Sequence, residues 1–539
     1  MFGHPPLYPL PLREGTLTLD TLLAAGWFIP EDSTMNNKRV IIIGAGISGL
    51  CAGNYLQMNG YDTEIFELHN VPGGLCTAWK RKGYTFDFCI HWLVGSSPSD
   101  NSYALWEELI DMAKLQFVDH EVFFQIEDKE GNTLRVFTDV DRLEEEMKHV
   151  APEDTDLIEE FIGGIRKFIP FSYSIDKAPE VMNPFDGLKM MIKMLPYFGA
   201  FRKWERITAK EFASRCKNPL LRRAILEMFL RDSSVFFLLM TLVSMHKKTA
   251  GYPIGGSLNF AKLIEEKYVT RGGKINYKSK VEKVLVENGC AKGIQLENGD
   301  THKADIIISA ADGYSTIFKM LDGRYVNQKL RDYYSGQSEK LRVFPSLVFV
   351  SLGVARKFDS EPHDLVFPLK KPLVVDDSMS YESLPVRIFN FDSTLAPAGK
   401  TPITVMFGTY NHEFWVKLKQ DDEEKYIHEK ERIAAEVIEA LEERFGNIKS
   451  NIEVVDVATP ASILRYTNNW KGSFEGWQPG PGTLLLRMDK SLPGLKNFYM
   501  IGQWVEPGGG LPPAIMSGRN VTQIICKKDR KKFRSGVRS

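Results

Sequence analysis

Cysteine is scarce in this sequence, and its positions are scattered. The six residues are Cys51, Cys76, Cys89, Cys216, Cys290 and Cys526. No two of them form a C-x-x-C pair, the spacing that is typical of zinc sites and dithiol redox motifs. The pattern therefore predicts neither a metal centre nor a disulfide framework, and it fits a reducing compartment.

Long apolar runs and an excess of one charge are also missing. The best apolar run, SVFFLLMTLVSM at 234–245, has 12 residues, whereas a membrane-crossing helix needs about 20. Lys and Arg total 68 against 69 Asp and Glu, and no basic stripe suggests a nucleic-acid partner. The first 34 residues lack the basic start and cleavage site of a signal peptide. We expect a cytoplasmic protein, either free or peripherally bound to a membrane.

A strand, a glycine-rich turn, a helix and a second strand follow one another from residue 38. RVIII is typical of a buried parallel strand, and Gly44, Gly46 and Gly49 then form G-x-G-x-x-G. Such glycines permit a tight turn and a close approach to a pyrophosphate at the helix N-terminus. The second strand ends at Glu67, whose carboxylate suits ribose hydroxyls and favours FAD or NAD over NADP.

A second glycine-rich segment lies near the end of the chain. EPGGGLPPAIMSGR at 506–519 places three glycines directly before Pro512 and Pro513. Glycine permits backbone conformations and close approaches that a side chain forbids, and proline suits the first turn of a helix. The segment therefore predicts a chain that closely approaches another group and then starts a helix pointing at it.

Further motifs connect these two ends to a known family. They are VPGG at 71–74, GYTFD at 83–87, FDFCIHW at 86–92, GYPIGGS at 251–257 and GGGLPPAIMSG at 508–518. The sequence resembles the flavin-dependent superfamily of amine oxidases, phytoene desaturases, carotenoid isomerases and retinol saturases, most closely the phytoene desaturase and retinol saturase branch. The resemblance covers nearly all of 38–528. It departs from the family at Leu75, where many relatives carry arginine, and at Cys89, where glycine is usual.

The resemblance implies that the cofactor is FAD. Its implied binding residues are Gly44, Gly46, Ser48, Gly49, Glu67, Gly73, Gly74, Val281, Gly502, Gly509, Gly510, Leu511 and Ile515. In the family the C-terminal glycines lie against the flavin ring, and the last helix points at its N1–C2=O edge. That placement is physically reasonable, because a helix N-terminus stabilises the negative charge of reduced flavin.

The expected fold class is α/β, a discontinuous Rossmann-like FAD-binding domain with a mixed sheet-plus-helix substrate domain. The FAD-binding domain is expected at 36–110, 251–318 and 486–528, and the substrate domain at 111–250 and 319–485. A disordered extension is expected at 1–35 and a basic tail at 529–539. Asn-Gly pairs in ENGC and ENGD predict two hairpin turns within the second FAD-binding segment.

Two residues are candidates for catalysis. His91 lies between the flavin motifs and the substrate domain, and Tyr252 belongs to the GYPIGGS segment, where it can cap a cavity over the flavin ring. Each has a structural alternative, because a histidine or tyrosine beside an apolar run is commonly packed in a core. No constellation surrounds His246 or His302, which we assign to structure or solvent, and Cys89 has no neighbour in the sequence that lowers its pKa.

Three segments raise the question of membrane contact. Residues 188–201 mix lysine and arginine with large apolar residues, a composition that suits a lipid interface. The run at 234–245 predicts either a lipid-facing entrance or a helix in the core of the substrate domain. The basic tail predicts either contact with anionic lipid or a solvated end.

The function that we expect is flavin-mediated hydrogen transfer to or from carbon–carbon bonds of a hydrophobic isoprenoid or polyene. FAD brings the redox chemistry, while the protein supplies a dry, elongated cavity and orientation rather than a strong acid or base. The alternatives are a polyene cis–trans isomerase, an amine oxidase and a non-catalytic FAD-bound lipid-binding protein. The sequence contains no second nucleotide fingerprint, so the electron partner is open, oxygen and quinones included.

Overall fold

A computed structural model describes residues 37–172, 176–336, 338, 341–486 and 488–536. The extension expected at 1–35 lies outside these ranges. The strands are β1 (Arg39–Ile43), β2 (Asp62–Phe66), β3 (Ala78–Arg81), β4 (Tyr84–Asp87), β5 (Leu93–Val94), β6 (Phe117–Val118), β7 (Val122–Glu127), β8 (Thr133–Phe137), β9 (Ala250–Pro253), β10 (Lys274–Asn276), β11 (Val281–Glu287), β12 (Cys290–Leu296), β13 (Thr301–Lys303), β14 (Ile306–Ser309), β15 (Ser346–Val354), β16 (Asp364–Val374), β17 (Ser380–Ile388), β18 (Thr401–Thr409), β19 (Ile452–Ala458) and β20 (Phe498–Met500). The α-helices are α1 (Ile47–Met58), α2 (Asn101–Glu107), α3 (Val140–Val150), α4 (Thr155–Phe168), α5 (Pro184–Met194), α6 (Phe198–Glu205), α7 (Ala209–Ala213), α8 (Pro219–Glu227), α9 (Val235–His246), α10 (Gly256–Thr270), α11 (Gln328–Tyr334), α12 (His412–Asp421), α13 (Glu423–Phe445), α14 (Pro460–Thr467) and α15 (Leu511–Lys528).

Distant parts of the chain share one parallel sheet. Its strand order is β10-β2-β1-β14-β20, and every neighbouring pair is parallel. The apolar runs of β1 and β14 are buried, as expected of strands covered on both faces. Helix α15 packs against α1 so closely that a Cβ on Gly518 would lie 2.7 Å from the backbone nitrogen of Ala52. This sheet is the discontinuous Rossmann-like fold that the sequence predicts.

A three-stranded antiparallel sheet, β11-β12-β13, lies between β10 and β14 in the sequence. Asn288 and Gly289 connect β11 to β12 with φ angles of 48° and 72°. Positive φ at both central residues is the requirement of a type I′ hairpin turn, which Asn-Gly satisfies. Strands β12 and β13 are also antiparallel, and Gly299 has φ 92° in the turn between them, so both predicted hairpins are present.

The largest sheet is built from the two segments that the sequence assigns to the substrate domain. Its seven strands have the order β19-β15-β18-β17-β16-β7-β8, and β16 pairs with β7 in parallel. Helix α13 buries Ile433, Val437 and Leu441 in the same core as this sheet. Helices α3, α4 and α7–α9 form a second core with the other end of the sheet, which gives the mixed sheet-plus-helix architecture.

The apolar segments of the substrate domain differ in burial. Helix α9, which contains the run at 234–245, lies in the helical core, with Leu239 and Leu242 buried. Helix α5 has no buried residue. Within the described ranges, no helix is both long and apolar enough to cross a membrane.

The described part of the basic tail, 529–536, packs against the nucleotide fold. The Phe533 ring lies 6.0 Å from the Tyr55 ring of α1, and the Arg534 amide donates a 2.8 Å hydrogen bond to Asn59 Oδ1. The Lys531 ammonium lies 4.2 Å from the centre of the Tyr61 ring. The two interpretations of the tail, contact with anionic lipid and a solvated end, did not include these contacts. Aromatic and amide groups connect the tail to α1 and the residues that follow it.

Candidate functional site

The N-terminus of α1 faces an open space. Gly44 has φ 99° and makes the turn out of β1. A Cβ on Gly49 would lie 2.0 Å from the Gly44 carbonyl oxygen, so this glycine permits close packing of helix on strand. A Cβ on Gly46 would meet nothing within 4 Å, and no side chain in the described residues caps the helix. The free amides of the first turn are therefore available to an anion.

Glu67 lies beside this turn at the end of β2. Its Oε2 accepts a 2.6 Å hydrogen bond from the Ala45 amide, and its Oε1 accepts one of 2.7 Å from the His69 amide. Burial raises the pKa of Glu67, while these backbone hydrogen bonds oppose the rise. A carboxylate has about four lone-pair sites, so Glu67 can still accept hydrogen bonds from ribose hydroxyls.

The second glycine pair lies against the first. The Gly73 amide donates to the Ala45 carbonyl oxygen at 2.9 Å, and Gly46 and Gly73 form an isolated parallel bridge. A Cβ on Gly73, where φ is 103°, would lie 2.2 Å from the Cys76 carbonyl oxygen. The positive φ and the close contact within its own loop therefore require glycine at this position, and the residue also borders the open space before α1.

The C-terminal segment completes the same space. Gly502 has φ 94°, and its amide donates a 2.9 Å hydrogen bond to Ser517 Oγ of α15. A Cβ on Gly502 would lie 3.2 Å from Ser48 Oγ of α1. Gly510 has φ 85° and immediately precedes α15, with prolines in its first turn. The helix that the glycine–proline motif predicts is present, and the tight approach within the motif is at Gly509, where a Cβ would lie 2.5 Å from Glu475 Oε2.

One cleft gathers ten of the predicted cofactor residues. They are Gly44, Gly46, Ser48, Glu67, Gly73, Gly74, Val281, Gly502, Gly510 and Leu511. The other three lie behind its lining: Gly49 packs on Gly44, Gly509 lies behind the Glu475 side chain, and Ile515 is buried in the core. The open space before α1, its uncapped amides and the spare acceptor sites of Glu67 fit a dinucleotide with a pyrophosphate and a ribose.

Glu475 is a lining residue that the sequence analysis missed. Its side chain lies so close to Gly509 that a Cβ there would be 2.5 Å from Glu475 Oε2. Burial raises the pKa of Glu475 to about 7, so the group exchanges a proton near neutral pH. No motif surrounds it in SFEGW, and only its contact with the distant glycine segment reveals it.

Apolar and aromatic side chains line the cleft beside Glu475, among them Leu75, Phe474 and Trp504. Trp504 is 2% exposed, and its indole nitrogen donates to Asn469 Oδ1 at 2.8 Å. Its ring lies 5.1 Å from the Trp477 ring. This indole is held within an aromatic core at the border of the cleft.

The two catalytic candidates lie outside the lining of this cleft. Tyr252 is 1% exposed, donates to Asp87 Oδ2 at 3.0 Å and packs edge-on against Phe391. His91 lines a separate small cavity with Arg387. Burial, and secondly the positive charge of Arg387, hold the pKa of His91 well below its usual range.

The remaining candidates have structural surroundings. Cys89 lines the cleft, where a hydrogen bond with Cys76 and burial raise its pKa well above the usual range, which disfavours the reactive thiolate. His246 Nδ1 accepts a 3.2 Å hydrogen bond from the Val140 amide, and the His302 ring lies 4.6 Å from that of Phe66. The described residues contain no cluster of three metal-ligating side chains.

Comparisons with known proteins agree with this geometry. The sequence model of the family described as flavin containing amine oxidoreductase matches residues 47–526. The chloroplastic prolycopene isomerase of Daucus carota is 26% identical over 95% of this chain and 86% of its own. The diapolycopene-forming diapophytoene desaturase of Methylomonas sp is 26% identical over 93% of this chain and 97% of its own.

A solved structure shares the fold over most of the chain. It is an oxidoreductase from Methanosarcina mazei, which matches with a TM-score of 0.56 at 17% identity. The match covers 90% of this chain and 100% of that one. The family match extends over most of the sequence, from the first glycine turn to the last helix. The chain therefore belongs to the flavin containing amine oxidoreductase family, and its cofactor is FAD.

Proposed function

We propose that the protein is an FAD-dependent oxidoreductase that transfers hydrogen to or from carbon–carbon bonds of a hydrophobic isoprenoid or polyene. The observation that carries this proposal is the flavin cleft, in which apolar and aromatic side chains lie beside Glu475, a buried carboxyl whose pKa is raised to about 7. Relatives that span nearly the whole chain act on prolycopene and diapophytoene. We extend that substrate class, long isoprenoid polyenes, to this chain.

The proposed mechanism divides a hydrogen transfer between the cofactor and the protein. Bound FAD supplies the acceptor or donor of a hydride. Removing hydrogen from two adjacent carbons also releases a proton, and saturating them consumes one. We assign that proton to the Glu475 carboxyl, while Leu75, Phe474 and Trp504 exclude water and orient the chain. The glycines hold the cofactor through backbone groups.

Anaerobic flavin spectroscopy tests this function. We expect a saturated or partly saturated isoprenoid to bleach the oxidised flavin if the enzyme is a desaturase. A polyene will instead reoxidise the reduced flavin if the enzyme is a saturase. If neither form responds to any isoprenoid or polyene, and no product forms, the proposed function is wrong and the lipid-binding alternative gains support.

A cis–trans isomerase is the second candidate, because one relative that covers 95% of this chain is a prolycopene isomerase. Glu475 suits this reaction too, since reversible protonation of a polyene permits rotation about its carbon–carbon bonds. Chromatography of the polyene after incubation with the reduced protein separates the two candidates. Isomerisation changes the geometry of the double bonds and leaves the number of hydrogens unchanged.

We also propose that the protein rests on a membrane surface through an apolar patch around α5. The patch consists of Phe185, Leu188, Met190, Met191, Ile192, Leu195 and Phe198, which are 40% to 81% exposed. It contains seven of the thirteen large apolar side chains that are exposed in the described residues. The exposed Lys189 and Lys193 lie on the same helix, a composition typical of interfacial helices. A membrane surface is also where a water-insoluble polyene resides.

Two acidic substitutions in the patch will release the protein from membranes. For Phe185→Asp with Leu195→Asp, we expect binding to vesicles containing anionic lipid to fall at least about tenfold, because each large apolar side chain that leaves lipid costs about 1.5–3 kcal/mol. Co-sedimentation measures this change. The matched control is Val269→Asp with Ile427→Asp, since these residues are 52% and 48% exposed elsewhere on the surface. Equal binding by both variants would contradict the proposal.

A further inference from the structure

A small polar cavity lies at one edge of the seven-stranded sheet. His120 precedes β7, His363 precedes β16, and Arg387 lies near the end of β17. Because β7 and β16 are parallel neighbours and β17 is antiparallel to β16, these residues meet at one edge. The cavity, which His91 and Trp92 also line, has a volume of about 20 Å³, room for one small polar group.

Arg387 is the charged group of this cavity, and its hydrogen bonding is incomplete. The residue is 7% exposed. Its Nε and Nη2 donate to Asp364 Oδ2 at 3.1 and 3.0 Å. Its Nη1 is fully buried and has no hydrogen-bond partner in the described part of the chain. A buried donor of this kind is costly to leave unpaired, which points to an acceptor in the cavity.

Neutral imidazoles form the other polar wall. The rings of His120 and His363 are stacked, with centroids 3.5 Å apart and planes within 9°. Burial, and secondly Arg387, lower the pKa of His120 to about 4, and burial likewise holds the pKa of His363 well below its usual range. Each neutral ring offers one N–H donor and one acceptor, so the wall can bind a group that both accepts and donates.

The charges around the cavity favour a neutral occupant. Asp364 balances the guanidinium charge of Arg387. Asp119 also lines the cavity. Burial raises the pKa of Asp119, and the positive charge of Lys248 partly opposes this rise. No excess of positive charge remains for an anion, whereas a hydroxyl or carbonyl oxygen can accept from Nη1 without adding charge.

The cavity lies next to the flavin cleft. Cys89 lines the cleft and His91 lines the cavity, so a span of at most about 7 Å of chain separates them. The cavity and the cleft are therefore neighbours in space, although their linings share no residue. Trp92, Phe123 and Met245 supply apolar surface to the cavity.

We propose that this cavity binds the oxygen-bearing end of the substrate, a terminal hydroxyl or carbonyl on the isoprenoid or polyene. Arg387 Nη1 donates to that oxygen, and the stacked His120 and His363 bond to its remaining hydrogen or lone pair. This inference rests on the proposed function and makes it narrower: the preferred substrate is an oxygenated lipid and not the hydrocarbon of the same skeleton.

The test compares three ligands on the FAD-loaded full chain: a linear polyene aldehyde, the matching alcohol and the hydrocarbon with the same carbon skeleton. Anaerobic flavin spectroscopy gives the half-saturating concentration of each with oxidised and with reduced protein. We expect the half-saturating concentration of the hydrocarbon to be at least about tenfold higher than that of the oxygenated ligands. A site built to hydrogen-bond a substrate oxygen discriminates strongly against an analogue that lacks it.

Two variants test whether this cavity is the site that binds the substrate oxygen. Arg387→Met with Asp364→Asn replaces the buried ion pair by a neutral pair, and His120→Phe keeps a ring against His363 without its nitrogens. We expect both variants to retain FAD and the hydrocarbon response, and to lose the preference for oxygenated ligands. Equal responses of the unaltered protein to all three ligands would overturn this inference and leave the proposed function standing. A preference that survives in both FAD-loaded variants would also overturn it, since the cavity then holds water only. Silence towards every ligand would reject the proposed function itself.

Discussion

Replacing Gly46 by aspartate will weaken FAD binding strongly and leave the fold intact. Gly46 has φ −64° and ψ 170°, a conformation that any residue adopts, and a side chain there enters open space. The new carboxylate can accept hydrogen bonds from the first turn of α1, because aspartate is a preferred N-cap residue. It will occupy the anion site and repel the pyrophosphate.

We expect Gly46→Asp to lower the affinity for FAD at least about 100-fold, equivalent to about 3 kcal/mol. Titration of the apoprotein with FAD measures the affinity, and thermal unfolding of the apoprotein reports the fold. The melting temperature should be unchanged or higher. Gly163→Asp is the control, because Gly163 on α4 is also surrounded by open space and lies far from the cleft in the sequence. A Gly46→Asp protein with full flavin content would contradict this assignment.

Replacing Glu475 by glutamine will remove most of the activity without removing the flavin. The substitution keeps the shape of the side chain and eliminates the carboxyl that exchanges a proton with a pKa of about 7. General acid–base catalysis contributes about 10²–10⁴-fold, so we expect a loss in that range. Turnover and absorbance of bound flavin are the measurements.

The direction in which the rate changes with pH shows whether Glu475 accepts or donates the proton. If Glu475 accepts a proton during desaturation, the rate of the unaltered enzyme rises as pH increases through about 7 and the carboxyl ionises. If it donates a proton during saturation, the rate falls over the same range. Glu475→Gln should remove the inflection in either case.

Asp312→Asn is the matched control for this prediction. Asp312 also lines the cleft, and burial raises its pKa to about 6. Both of its oxygens accept backbone hydrogen bonds, at 2.6 Å from Ser315 and 2.7 Å from Trp470. We therefore expect Asp312→Asn to lower thermal stability and to keep the inflection near pH 7. An unchanged inflection in Glu475→Gln would reject Glu475 as the proton-exchanging group.

Local sequence chemistry predicted the features that depend on a few neighbouring residues. Asn288 and Gly289 adopt the positive φ angles of their hairpin, and Gly49 packs on Gly44 for the reason that the motif suggests. The apolar runs of β1 and β14 are buried in a parallel sheet. In each case the backbone conformation or the burial of one element is enough to explain the pattern.

The features that the sequence did not predict depend on contacts between distant parts of the chain. Glu475 becomes notable only because Gly509 lies beside it, and the polar cavity gathers residues from three strand ends and the segment before β5. The contrast between α5 and α9 was partly readable from composition. The lysines among the apolar residues of 188–201 predicted an interface, and α5 has no buried residue, whereas the uncharged run at 234–245 left an entrance and a core helix as alternatives, of which the fold adopts the core.

The order of strands in the parallel sheet has a consequence for biosynthesis. Strand β20 pairs with β14, and α15 packs against α1, although α1 is among the first elements of the described chain to leave the ribosome and α15 is the last helix. Until Gly502 and Gly510 have emerged, the space before α1 lacks its opposite wall. The cleft is therefore complete only after the segment that carries Gly502, Gly510 and α15 has been synthesised, so the full set of contacts with FAD can form only after that point.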